Sequence, residues 1–128
     1  MLAILAGAAA LAVAGTPQRP PPTFTRDVAP IVFQHCAPCH RPDGSGPFSL
    51  LTFDDVRRRA ALIADVTGRH VMPPWKPEPG RGDFLGARRL RDEDIETIVR
   101  WVAAGAPLGD SATMPALPCM RVRRCSII

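Results

Sequence analysis

Apolar residues recur along this chain at helical spacing in three places, separated by stretches dense in proline and glycine. Val28, Ile31 and Val32 fall at i, i+3, i+4, with Thr25 as a candidate cap, Asp27 in the first turn and Pro30 early enough to be tolerated. Thr52-Phe53-Asp54-Asp55 has the form of a capping box and opens a second pattern, Val56, Ala60, Ile63 and Val66 or Thr67, with Gly68 as its stop. The third is the clearest: Asp92, Glu93 and Asp94 crowd a helix start, Ile95, Ile98, Val99 and Val102 line one side, and Gly105 with Pro107 closes it. No stretch alternates with period two, so the pattern predicts an all-α domain of three main helices. Val28 and Ile31 are the natural partners of Ile98, Trp101 and Val102 in a crossed pair of terminal helices.

The ends differ from this middle. Residues 1–14 are nearly all Leu, Ala, Ile and Val, lack a polar face and end in Ala12-Val13-Ala14; they read as a secretory leader too short to span a bilayer comfortably. Residues 15–22 hold Pro17, Pro20, Pro21 and Pro22 and read as an extended linker. Residues 23–110 carry the helical patterns, and residues 111–128 form an irregular tail with Cys119 and Cys125. That tail reads either as a disulfide-closed end or as a truncated or frame-shifted remnant of a longer chain.

Charge adds little. The net charge of +4 owes three units to Arg121, Arg123 and Arg124, whereas residues 16–110 hold thirteen basic and twelve acidic side chains. With no interleaving of basic and aromatic residues, nucleic-acid binding is excluded. A domain this small buries a thin core, which a bound cofactor would help to fill.

The chemistry is concentrated in Cys36-Ala37-Pro38-Cys39-His40. Two cysteines at this spacing with a histidine directly after them form the attachment signal of a c-type haem: one helical turn offers two thiols to two vinyl groups and an imidazole to the iron. A redox dithiol would be expected beside a strand, and a zinc site would need two further ligands, for which only the distant tail cysteines are at hand. A haem iron held by His40 has a second axial position. Met72 is the candidate, because Pro73 and Pro74 fix it in an extended, stiff segment off any helical register, with His70 as its competitor. Met114 and Met120 lie in the tail and are set aside. Trp75 is placed to cover a porphyrin edge or simply to pack, and Phe48, Leu50 and Leu51 read as core, pocket wall or both. Arg57, Arg58 and Arg59 read as a solvated face, with contact to haem propionates or an acidic redox partner as the sharper alternative. Lys76 to Arg89 is a long loop without periodicity.

Residues 23–110 resemble the class I cytochrome c family: a helix ending in Cys36-Xaa-Xaa-Cys39-His40, a middle helix, a methionine loop and a C-terminal helix with an aromatic at Trp101. More narrowly, Asp27-Val28-Ala29-Pro30-Ile31, Gly46-Pro47-Phe48-Ser49-Leu50-Leu51, Met72-Pro73-Pro74-Trp75 and Trp101-Val102-Ala103-Ala104-Gly105-Ala106-Pro107 look like the cytochrome-like modules that precede other domains in multidomain exported bacterial proteins, monooxygenase-like ones among them. The resemblance implies a small cytochrome c-like fold around one covalently attached haem c, with Cys36 and Cys39 as thioether anchors, His40 as proximal and Met72 as distal ligand.

The expected activity is one-electron transfer in the bacterial periplasm, to a redox partner protein or an adjacent domain, with membrane contact only through an uncleaved leader. Six-coordinate iron leaves no position for substrate, so no catalysis of its own is expected. Two other readings stand beside it: a zinc- or disulfide-stabilised interaction module, and a five-coordinate haem site for gas binding or peroxidatic chemistry. On the first reading Cys36, Cys39, His40 and Met72 converge on an apolar cleft.

Overall fold

The computed structural model describes residues 19–78 and 80–117. Among them every regular element is helical. A π-helical turn, Phe24–Val28, runs directly into α1, Ala29–His35; α2 spans Phe53–Arg57, α3 Ala60–Gly68 and α4 Asp92–Ala103, and a 3-10 turn, Ser111–Thr113, follows. The leader and the tail cysteines lie outside the described residues. Among those described, no helix is long and apolar enough to cross a membrane.

The first helical run begins earlier than Thr25. Its cap position is Thr23, while Thr25 is wholly buried and its hydroxyl accepts a hydrogen bond from Thr113 Oγ1 at 2.9 Å. Pro30 explains the widened opening. It has no N–H, and its ring crowds the carbonyl four residues back, so the preceding turn adopts the wider register in which the Val28 N–H reaches the Thr23 carbonyl at 3.2 Å. Asp27 closes the turn by accepting the Thr23 N–H at 2.7 Å, a capping contact displaced by one residue.

Burial raises the Asp27 carboxyl, but hydrogen bonds from the Arg26 guanidinium and the Thr23 amide outweigh it and hold the group below the ordinary carboxylate value. A group with a depressed folded-state pKa stabilises the fold above its unfolded pKa and loses that contribution as pH falls through the folded value. Asp27→Asn is therefore expected to cost about 1 kcal/mol at neutral pH, the usual worth of an N-terminal cap. In urea melts the difference from the parent protein should shrink as pH falls through and below the ordinary carboxylate range. An unchanged difference at acid pH would show that the carboxylate's charge is not what matters.

The first amides of this run find acceptors at the far end of the chain. Phe24 N–H donates to the Pro107 carbonyl and Thr25 N–H to the Leu108 carbonyl, both at 2.9 Å. Those carbonyls are placed by the end of α4, where Gly105, at φ 86°, takes the left-handed position and Ala106 N–H returns to the Trp101 carbonyl at 2.9 Å. The Trp101 indole N–H donates to the same Pro107 carbonyl at 2.9 Å. Arg100 also donates to the carbonyls of Arg19 and Pro20, and Pro22 is buried, so the end of the proline-rich stretch is tied to α4.

α4 carries its three acidic residues in the first turn as expected. Its buried arc, however, is centred on Ile98 and Trp101 and includes Asp94, while Val99 stands exposed on the neighbouring face. Asp94 tolerates burial because Arg91 grips its carboxylate through two hydrogen bonds, 2.9 and 2.8 Å long.

The middle helix is two helices. Thr52 caps α2 by accepting the Asp55 N–H at 3.1 Å, as its sequence promises. At Arg58–Arg59 the ladder breaks: Arg59 N–H turns to the Val56 carbonyl, and the Arg59 guanidinium takes the Asp55 carbonyl that its own amide has left, at 3.1 Å. The predicted stripe survives the break, with Val56, Ala60, Ile63 and Thr67 all buried. α3 then runs through Gly68 and stops one turn position later: the left-handed residue is His70, at φ 55°. Continuing the helix lets Asp65 pair with Arg69 and lets Thr67, buried, bond back to the Ile63 carbonyl at 2.7 Å.

Phe24 joins these pieces. It is fully buried and lies against Phe33, Phe53 and Trp101 with ring centroids 6.4, 5.2 and 6.0 Å away. α4 packs on α3 and on the π-helical turn, so Val28 joins Ile98 and Trp101 in one core with Val32, Val56 and Leu90.

Candidate functional site

The Cys36–His40 stretch leaves α1 as a tight turn. Cys36 is the C-terminal cap, its N–H bonded to the Val32 carbonyl at 2.9 Å, and its own carbonyl accepts from Cys39 N–H at 3.1 Å and His40 N–H at 2.9 Å. Ala37 is buried beneath the turn, so both cysteines and His40 are carried half-exposed on one rigid unit. Neither thiol is in a disulfide. Burial, and after it the adjacent Cys39, push the Cys36 thiol up to about 11. At neutral pH the metal-free thiol is therefore protonated, unlike the depressed thiols of reactive dithiol sites.

His40 is held from two sides. Its Nδ1 lies 3.2 Å from the Phe48 carbonyl, to which it can only donate, and its ring stacks on the Phe48 ring at 4.7 Å and 30°. With Nδ1 carrying the proton, Nε2 is the nitrogen left with a lone pair. The return of the chain that brings Phe48 there is pinned by Gly46 N–H to the Cys39 carbonyl and Leu50 N–H to the His40 carbonyl, both at 2.9 Å. Gly46 admits this approach: a Cβ at that position would sit 2.6 Å from His40 Nδ1 and 2.9 Å from its Cγ.

Met72 is positioned by the end of α3. His70 in the left-handed conformation returns the Val71 and Met72 amides to the Val66 carbonyl, at 2.8 and 3.1 Å. Pro73 behind it is buried, and the Met72 side chain is 39% exposed. His70, the competitor, points its Nε2 to the Arg89 guanidinium at 3.4 Å. Trp75 is half-buried and packs edge-on against Phe84 at 5.8 Å, so the long loop folds back on itself. Val71, Met72, Phe84 and Leu85 all expose apolar surface on this one segment.

Cys36, Cys39 and His40 are thus one unit, and Met72 belongs to a second. A groove of about 520 Å³ lies elsewhere, between the first helix and the start of α4, lined by Arg26, Gln34, His35 and Arg91 among others and by none of the four predicted ligands. Among the described residues no three His, Cys, Asp or Glu side chains gather as a metal site, and the tail cysteines of the zinc reading lie outside those residues.

Two contributors escaped the sequence reading. The Phe48 carbonyl has no residue signature, since any side chain can accompany it. Arg59 sits in a run that reads as solvated, which holds for Arg57 and Arg58, whereas Arg59 is half-buried with its guanidinium 4.3 Å from the Phe48 ring centroid.

The described residues thus bring two thiols free of disulfide beside an imidazole whose Nδ1 meets a backbone carbonyl, and a separate segment carries exposed apolar side chains around Met72. The comparisons add no relative: no protein-family model, no curated protein and no solved structure matches the chain.

Proposed function

We propose that residues 23–110 form a class I cytochrome c-like domain that holds one haem c and passes single electrons to a partner protein or an adjacent domain in the bacterial periplasm. The observation that supports this most directly is the Nδ1–Phe48 hydrogen bond at 3.2 Å, which turns His40 Nε2 into a fixed metal donor on the turn that presents two unpaired thiols. Cys36 and Cys39 would hold the group through thioethers, His40 and Met72 would supply its axial ligands, and Trp75 would shield it from water. When bound, the haem iron gains and loses one electron between its ferrous and ferric states.

What the chain itself contributes is orientation and low polarity. His40 cannot rotate without losing the Phe48 carbonyl, and the Met72 backbone is anchored at Val66. The redox-dithiol reading expects a neighbouring strand, and every regular element among the described residues is helical.

The test is expression of the full chain in a bacterial host that matures c-type haem. Intact mass should rise by one haem, retained on denaturation, and the ferric protein should show the weak methionine–iron absorption at the red end of the spectrum. Met72→Ala should lose that band and keep the covalent haem. A haem-free protein with both thiols open to alkylation would overturn the assignment, and a covalent haem lacking the methionine band in the parent protein would replace it with the five-coordinate reading.

A further inference from the structure

We infer that Arg59, acting through the Phe48 ring and together with the Gly46 and Leu50 backbone bonds, helps to hold His40 in its Nδ1–H tautomer and fixed orientation; the inference deepens the haem-site reading and rests on it for its functional meaning. Arg59 is no ordinary member of its basic run. Its guanidinium donates to the Asp55 carbonyl at 3.1 Å and lies 4.3 Å from the centroid of the Phe48 ring, so the side chain is secured at the break between α2 and α3. The nearby Asp55 carboxylate is engaged by Arg58 at 2.7 Å and by the Thr52 hydroxyl at 2.8 Å. Among the described residues no carboxylate pairs with Arg59, and its charge faces an aromatic ring.

Phe48 is the residue that grips the proposed ligand twice, by its ring and by its carbonyl. A cation against an aromatic face holds that ring in place, because the ring quadrupole attracts it and partial burial strengthens the attraction. Arg59 therefore fixes the ring that stacks on His40, while the backbone bonds at Gly46 and Leu50 fix the carbonyl. An imidazole free in water divides its proton between the two nitrogens, whereas one held against a carbonyl through Nδ1 keeps Nε2 bare. Arg59 is a positioning residue, two stacking contacts from the imidazole, and its uncompensated charge also disfavours further positive charge at a metal bound there.

The experiment separates this role from the haem assignment by reading His40 first in haem-free protein. At about pH 8, above the ordinary imidazole range, ring ¹⁵N shifts should show His40 almost wholly as the Nδ1–H tautomer. In Arg59→Gln the Nε2–H form should appear, and exchange of the Nδ1 proton with solvent should quicken about tenfold, the order a single cation–π contact supports. Arg59→Lys, which keeps the charge, should restore most of the parent signal. In haem-loaded protein Arg59→Gln should lower the midpoint potential and Arg59→Lys should leave it nearly unchanged. If Arg59→Gln does not fold, Arg59→Met, which still covers Phe48 with an apolar chain, is read in its place. An unchanged tautomer and exchange rate in a folded, uncharged variant overturns the inference even if haem binds; failure to take up haem, with the tautomer shift intact, overturns the functional reading alone.

Discussion

Trp101→Ala is expected to remove about 3–5 kcal/mol, enough to leave a domain of this size largely unfolded at room temperature. Trp101 is wholly buried, its ring lies 6.0 Å from that of Phe24, and its indole N–H shares the Pro107 carbonyl with the Phe24 amide. Truncation opens a cavity beside the aromatic residue that α1, α2 and α4 all meet, and the walls, being helices tied by their own backbone bonds, collapse only partly into it. Trp101→Phe keeps most of the volume and removes the donor. It should cost less, about 1–2 kcal/mol, because Pro107 retains its bond from Phe24. Urea midpoints of the haem-free protein measure both. A loss below about 1 kcal/mol for the alanine variant would mean that Trp101 is not packed as described.

Gly46→Ala should act directly on the His40 side chain. The new methyl would stand 2.6 Å from His40 Nδ1 with the Cys39 carbonyl 3.0 Å away on another side, so the imidazole must swing off the Phe48 carbonyl or the loop must lift. Either response forfeits the bond that aims Nε2, and crowding plus the lost hydrogen bond together come to about 2–3 kcal/mol. The expected result is a folded but destabilised haem-free protein that, matured in the periplasm, shows a sharply reduced fraction with normal axial ligation by absorption spectroscopy. Gly68→Ala serves as its control. That position is helical with nothing within 4 Å of a new Cβ, so the same change should stabilise by about 0.5–1 kcal/mol. Normal ligation in Gly46→Ala would show that the close approach at His40 is not required.

How much of this was legible depended on whether a feature is local. The stripes Val28–Ile31–Val32 and Val56–Ala60–Ile63 and the Thr52 cap could be read because each is written within a turn or two of helix. The grouping of Cys36, Cys39 and His40 is legible for the same reason, since a single turn carries all three. What could not be read depends on partners far along the chain or on backbone atoms. The π-helical opening takes its acceptors from Pro107 and Leu108, and the break at Arg59 needs that side chain to return to the Asp55 carbonyl. The left-handed position at His70 is unmarked because glycine, the usual signal, lies two residues earlier inside α3. Val99 was misplaced because helical spacing locates a face only to within one neighbouring position, and burial of Asp94 moved the arc.

The bonds from Phe24 and Thr25 to Pro107 and Leu108 also close a long loop. A fragment that ends before Pro107 would leave the opening amides of that helical run without these acceptors, and closing a loop of this length is the slow part of making the pairing. Circular permutants cut within the long loop of residues 76–89 would keep both partners close in sequence and should form the pair sooner.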